Sequence, residues 1–219
     1  MANVILFGLQ DYAELAHYYL EHDSPHTVVA FCVNRQYLPE SRTFRGLPVI
    51  ALEEVVDSHP PGDFSFFAPM SPKRMNRERE KIFNDLKTRG YPLISYVSSR
   101  ATVCHNTIGE NCFILEDNTL QPFTTIGNNV VLWSGNHIGH HGRIADHVTM
   151  TSHVVMSGHC DIGAYSFVGV NATLRDGVTI GEGTFITMAA AITKSTEPWS
   201  VYKGNPAVKL AMTSTDLKL

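Results

Sequence analysis

Every sixth residue from position 108 to position 192 is aliphatic or methionine: Ile108, Ile114, Leu120, Ile126, Leu132, Ile138, Ile144, Met150, Met156, Ile162, Val168, Leu174, Ile180, Ile186 and Ile192. The register runs through fifteen positions without an exception or an insertion. A period of six fits neither the 3.6-residue turn of a helix nor a two-stranded meander, so it marks a solenoid of very short strands. Glycine often follows the aliphatic residue (Gly109, Gly127, Gly139, Gly163, Gly169, Gly181). The fourth residue after it is frequently small, as at Cys112, Thr124, Gly142, Cys160, Ser166, Ala172, Thr184 and Ala190. That small residue precedes the next aliphatic by two places, so both project inward from one strand. Three such units close one triangular coil. Cys112 and Cys160 fall in the small inward slots and are expected to be packed core thiols.

The same period sorts the histidines. Six of the eleven lie within residues 136–159. His141, His147, His153 and His159 stand three places after their aliphatic residues, in a column that elsewhere holds Asn111, Asp117, Asn129, Gly135, Asn171, Gly177 and Gly183. Asparagine and glycine enrichment identifies a corner that takes left-handed backbone angles. Successive members of this column face different sides of the triangle, so only His141 and His159 are expected to stack on one edge, about one strand spacing of ~4.8 Å apart. Zinc requires three or four ligands within ~2.1 Å of one point, and the column scatters them, so no metal is expected. His140 stands outside the column, two places after Ile138 and flanked by Gly139 and Gly142, with little crowding around it. Imidazole ordinarily titrates near ~6.5, so such a ring can accept a proton at neutral pH. The competing reading, one more exposed polar residue on a solenoid edge, stays open at this point.

The first hundred residues follow another grammar. "NVILFG" is a short apolar run ending in Gly8, and "DYAELAHYYLEH" after it has helical spacing. "HTVVAFCV", "GLPVI", "FSFFAP" and "YPLISYV" read as further strands, "LEEVVDSH" and "NREREKIFNDLKTRG" as helices. The alternation predicts a small, Rossmann-like parallel sheet flanked by helices. The first turn lacks GxGxxG, and Asp11 and Glu14 would repel a pyrophosphate, which excludes NAD and FAD. A nucleotide-linked ligand at Gly8 and Asn34 and a ligand-free docking domain are the two remaining readings. The expected division is an α/β domain at 1–96, a β-solenoid at 97–198 and a C-terminal tail at 199–219. A net charge of −4 with no basic run argues against a nucleic-acid partner. No apolar run approaches the ~20 residues of a membrane span. The four cysteines form no CxxC pair and the N-terminus turns acidic too early for a secretory signal, so a cytoplasmic protein with reduced thiols is expected.

"IGHH", "SGHCDIG", "GVNATLRDGVTIG", "MAAAITK" and "YKGNPAVKL" resemble the left-handed parallel β-helix acyltransferases. With a small α/β domain in front, the chain is similar to the sugar acetyltransferases typified by sialic acid O-acetyltransferases and by the enzymes that N-acetylate nucleotide-linked amino sugars. The resemblance implies a homotrimer with active sites between neighbouring helices, acetyl-CoA as co-substrate along the coils, and no metal. It implies transfer of acetyl to the amino group of a nucleotide-linked amino sugar in cell-surface glycan biosynthesis, with acetylation of a sugar hydroxyl as the alternative. His140 takes the general-base position. His141 follows it where relatives often carry an acid, so Asp117, Glu116 or Asp146 are the expected orienting groups. The pantetheine arm is expected near Gly158, Met188 and Ala189, and the adenine end near Lys203 and Pro206. The nucleotide is expected at Gly8 and Asn34, and the sugar near Asn118, Asn136 and His137. The hexapeptide solenoid is also the fold of gamma-class carbonic anhydrases, which hold zinc between subunits. His105 and His141 match that spacing, but the third ligand would fall near Asp146, one residue from His147. A non-catalytic trimeric scaffold is the remaining alternative.

Overall fold

The computed structural model describes residues 1–217. Its first part is a sheet in the order β3-β4-β2-β1-β5, formed by β1 (Asn3–Phe7), β2 (Thr27–Val33), β3 (Thr43–Phe44), β4 (Leu47–Ala51) and β5 (Phe64–Phe67). Strands β1, β2, β4 and β5 run parallel, and their apolar runs are buried because helices or the second domain cover both faces. Helix α1 (Asp11–His22) buries Ala13, Ala16 and Leu20 with Tyr12, Leu15 and Tyr19 partly buried beside them, and α3 (Arg77–Thr88) buries Ile82, Phe83 and Leu86. Three details differ from expectation. The short strand β3 turns back antiparallel onto β4. The helix in "LEEVVDSH" is only the single turn α2 (Val55–Ser58). "YPLISYV" does not close the sheet as a regular strand: Leu93 makes an isolated bridge to Phe66, and Tyr96–Val97 already pairs with Phe113–Ile114 of the solenoid.

From there the chain winds as a left-handed parallel β-helix. Its two-residue strands stack in three faces; from Thr107 to Ile192 paired strands stand eighteen residues apart, as Thr119↔His137 and His137↔Val155 show. The first face contains Phe113–Ile114, Val131–Leu132 and Thr149–Met150; the second Thr119–Leu120, His137–Ile138 and Val155–Met156; the third Thr125–Ile126, Arg143–Ile144 and Asp161–Ile162. All the hexad aliphatics from Ile114 onward are buried in one continuous core, with Ile108 packed at its end. The small-slot residues Cys112, Thr124, Cys160, Ser166, Ala172, Thr184 and Ala190 are buried among them. Burial raises the Cys112 thiol to about 11 and also raises that of Cys160, consistent with inert packing. The corner column has positive φ at every predicted histidine and asparagine, and also at Phe123, Tyr165 and Ala189. Gly139 serves a different need: a Cβ there would fall 2.5 Å from the Ser157 carbonyl carbon, so its lack of side chain lets neighbouring coils touch. The tail is not loose. Ser200–Lys203 extends the first face beside Phe185–Ile186, and Val208–Thr213 returns antiparallel to it.

The α/β domain docks on the first face. Tyr12 meets Trp133 edge-on at 5.5 Å, Phe67 meets Phe113 at 5.4 Å, and the Tyr19 hydroxyl donates to Glu116 at 2.9 Å. A polar ladder fixes the adjoining corner. The Ala68 N–H donates to Asn111 Oδ1, Asn111 Nδ2 donates to Asn129 Oδ1 at 2.7 Å, and Asn129 Nδ2 faces His147 Nδ1 at 2.9 Å. The polarity set at Ala68 leaves His147 Nδ1 as an acceptor, so the ladder requires the neutral ring. Burial lowers the His147 pKa in the same direction. As pH falls below the ordinary imidazole value near ~6.5, the unfolded chain takes up this proton first, and stability is lost down to the depressed folded value. The urea midpoint is expected to drop between pH 7.5 and pH 5, and by less in His147→Gln. His26 and His59 are lowered too, so the native-minus-variant difference is the reading that isolates His147. An equal drop in both proteins would remove His147 from this role.

Candidate active site

The edge between the second and third faces lies opposite the face covered by the α/β domain. Its corner column runs His105, Phe123, His141, His159, Gly177, and the position before each corner holds Cys104, Pro122, His140, Gly158 and Asp176. His141 and His159 stack as expected, with ring centroids 5.0 Å apart and planes at 17°. Phe123, 73% exposed, lies tilted by 37° over the other side of His141 at 4.6 Å. The exposed His140 ring stands perpendicular to both histidines, 5.2 Å from His141 and 5.0 Å from His159. Its Nδ1 lies 3.0 Å from His141 Nδ1, so one ring donates and the other accepts, and its backbone N–H donates to Gln121 Oε1 at 3.0 Å.

Beneath this ring is Gly158. A methyl group there would lie 2.7 Å from His140 Cε1, 2.9 Å from His140 Nε2 and 3.0 Å from Asp176 Oδ1. The bare glycine therefore gives the imidazole its seat. The carbonyl of Gly158 accepts from the Gly177 N–H, while its own N–H has no backbone acceptor among the described residues. An exposed imidazole edge, a carboxylate and an unengaged amide thus meet at one place on the column.

The expected orienting carboxylates are not there. Asp117 and Glu116 occupy the edge between the first and second faces. Arg100 pairs with Asp117 at 3.2 Å, and Tyr19 and Ser134 donate to Glu116. Asp146 sits at the third edge, accepting from the Asn128 N–H at 2.7 Å. The reason is the coil period: none of the three is a whole number of eighteen-residue coils from His140 or His141. Within this chain His141 is the partner of His140. Asn118 and Asn136 are corrections as well. They occupy inward slots, buried, with side-chain amides donating to the Leu115 and Trp133 carbonyls, so they brace corners from inside and do not face a ligand.

His137 is half-buried on the second face, one coil from Thr119 and Val155. Gly158 adjoins His140, but Met188 and Ala189 lie on the edge between the first and second faces, with Met188 73% exposed and Ala189 at φ 56°. Lys203 and Pro206 lie in the exposed turn region of the C-terminal hairpin. Gly8 (φ 114°) and Asn34 follow the adjacent ends of β1 and β2, and Glu14 of the neighbouring helix turn is ion-paired with Arg45. His105 shares the edge of His141 with Phe123 between them, whereas Asp146 and His147 lie on another edge, so a zinc set built from these residues is not assembled within one chain.

His159, expected only as the stacking partner of His141, joins the site together with Asp176, Gln121 and Phe123, which were not singled out in the sequence. The signal was present: His159 and Phe123 lie one coil from His141, and Asp176 one coil from Gly158. The corner argument correctly separates His147 and His153 from His141 and His159, but it leaves out His140. With that ring included, His140, His141 and His159 each bring a ligand nitrogen within 4.8 Å of the others.

The family described as bacterial transferase hexapeptide (six repeats) matches residues 105–140. No curated protein matches the sequence. Among solved structures, the acetyltransferase domain of PglB from Neisseria gonorrhoeae superposes with a TM-score of 0.84 at 20% identity, covering 96% of this chain and 100% of that one. A perosamine N-acetyltransferase from Caulobacter crescentus, in complex with CoA and GDP-perosamine, superposes with a TM-score of 0.83 at 18% identity, covering 97% and 98%. WeeI from Acinetobacter baumannii gives 0.77 at 19% identity, covering 96% and 100%. The two-part architecture is shared from end to end.

Proposed function

We propose that this chain is an acetyl-CoA-dependent acetyltransferase acting on the amino group of a nucleotide-linked sugar, with His140 as general base. The observation that carries this reading is the placement of His140, exposed over Gly158 on a β-helix edge and held by His141. The likeness over both domains to an enzyme whose structure holds CoA and GDP-perosamine supports the substrate class. The neutral amine attacks the thioester carbonyl, forming the C–N bond. His140 takes the proton that nitrogen must shed, and the tetrahedral oxyanion is met by the Gly158 N–H. The C–S bond then breaks, and the thiolate departs without strong acid assistance while the imidazolium releases its proton to solvent.

His141 replaces the acid expected after the base. One nitrogen of each ring is committed to the other, and stacking on His159 with the tilted contact of Phe123 holds the His141 plane. An orienting imidazole fixes the ring's direction without a formal charge of its own, and the Asp176 carboxylate borders the same space.

A ligand end held at Gly8 and Asn34 sits on the side of the column away from His140, so the sugar of one chain is proposed to meet the histidine of a neighbour in a homotrimer. The second face supports this assembly: its outward positions Thr102, Thr119, His137, Val155, Thr173 and Ala191 carry no carboxylate, Lys or Arg. Sedimentation is expected to give three chains per particle, and a monomeric active particle would overturn this arrangement.

The direct test is incubation with acetyl-CoA and a panel of nucleotide-linked amino sugars, read by mass. Addition of one acetyl group to an amine supports the proposal, and release of CoA thiol with no acceptor modified counts against it. Gly158→Ala gives a sharper local check. Its methyl group would displace the flexible His140 ring, not the backbone, so turnover is expected to fall roughly tenfold to a hundredfold with the melting temperature nearly unchanged. Native turnover in that variant would move the base elsewhere.

A further inference from the structure

We propose that His140, His141 and His159 form a binding site for a divalent first-row transition ion, Zn²⁺ foremost, whose capture blocks the base. Imidazole suits zinc and its neighbours, and nitrogen ligands at ~2.1 Å from a tetrahedral ion stand about 3.4 Å from one another. Two of the three rings come close to this spacing: the Nδ1 atoms of His140 and His141, now sharing a hydrogen bond, stand 3.0 Å apart. All three ligand nitrogens lie within 4.8 Å of one another, and the rings are exposed, so small rotations about χ angles suffice to converge them. Their backbones do not have to move. His140 and His141 are adjacent on one corner, and the His159 N–H donates to the His140 carbonyl at 2.9 Å, which fixes the coil-to-coil offset. The Asp176 carboxylate borders the same space from the next coil, outside the three-histidine cluster. No Lys or Arg side chain is ion-paired to that carboxylate among the described residues.

The ion is an inhibitor here and not a participant in acetyl transfer. Coordination occupies the lone pair with which His140 accepts a proton, so a bound ion and a working base exclude one another. The binding claim stands on the cluster alone, whereas the inhibition rests on the proposed function.

Zn²⁺ binding to the native protein, followed by calorimetry after chelator treatment, is expected to give one ion per chain, and Co²⁺ is expected to give the visible absorption of a low-symmetry nitrogen site. His159→Ala is expected to weaken binding at least tenfold, and the Zn²⁺ concentration that halves each protein's own chelator-treated turnover should be at least tenfold higher in the variant than in the native protein. Absence of stoichiometric Zn²⁺ binding by the native protein, or undiminished binding by His159→Ala, would overturn the site. Binding with the expected variant dependence but unchanged turnover under saturating Zn²⁺ would retain the site and overturn its inhibitory role, which is then distinguishable from failure of the transferase reading by the acetylation assay in chelator.

Discussion

Replacing His140 by alanine is expected to lower acetyl-transfer turnover by roughly a hundredfold or more, with little change in the KM for acetyl-CoA. The split between the two constants is what identifies the role. The imidazole is proposed to act on a proton that becomes mobile only as the C–N bond forms, so its loss removes an interaction of the transition state and not of the ground state. The ring is exposed and buries no core surface, so the variant's melting temperature should stay close to native. His140→Gln adds discrimination, because an amide can hold a similar position but cannot accept a proton at neutral pH. If glutamine restored turnover, His140 would be a positioning residue. Turnover within threefold of native in His140→Ala, with the true acceptor, would end the general-base assignment.

How far the site could be read without coordinates depends on which kind of regularity carries each residue. The six-residue period places a side chain inside, outside or at a corner, and every hexad aliphatic and small slot obeys it. The eighteen-residue period decides which corner. Followed strictly, it sets His141 on His159 and separates both from His147, as found. It also separates Asp117, Glu116 and Asp146 from His140. The expectation that one of them orients the base came from resemblance, and coil arithmetic overrules it within the chain. Asn118 and Asn136 fail for the first reason, since the inward slot that accepts cysteine and alanine elsewhere accepts asparagine when its amide can reach corner carbonyls.

The contribution of His159 and Asp176 depends on side-chain direction across coils, which a one-dimensional period does not encode. In the α/β domain, short-range patterns locate the strands and the two long helices but not the end of the sheet. Tyr96 and Val97 have the apolar, β-branched character of a strand in either domain, and only the ladder partner at Phe113–Ile114 decides between them.

Arg79→Met is expected to destabilise the fold by about 3–5 kcal/mol, because several buried acceptors lose their donors at ~1–3 kcal/mol each. In "NREREK" this arginine looks like one more solvated charge, yet it is the largest fully buried side chain. Its guanidinium donates to the carbonyls of Met70 at 2.9 Å, Asn129 at 3.2 Å and Val148 at 3.2 Å, and to Thr149 Oγ1 at 3.1 Å. Asn76, at the start of the same helix with φ 65°, reinforces the tie by accepting from Thr149 and donating to the Tyr165 carbonyl. Burial lowers the Arg79 pKa to about 10, which leaves it charged at neutral pH, with no carboxylate beside it.

Carbonyl dipoles from a loop and two solenoid corners, with the Thr149 hydroxyl, take the place of a counter-ion, so one planar fork joins α3 to two successive coils. Methionine fills much of the volume but strands those carbonyls without donors. Lysine keeps the charge but cannot present the fork, so Arg79→Lys should be nearly as damaging. At ~2–4 °C per kcal/mol for a chain of this size, the melting temperature should fall by roughly 10 °C in both variants. A scan in which either variant melts within ~2 °C of the native protein would show that apolar contacts around Tyr12, Phe67 and Phe113 hold the domains together unaided. The expected drop would instead make the buried fork the element that fixes where the α/β domain sits on the column, and hence where a ligand held at Gly8 and Asn34 is presented.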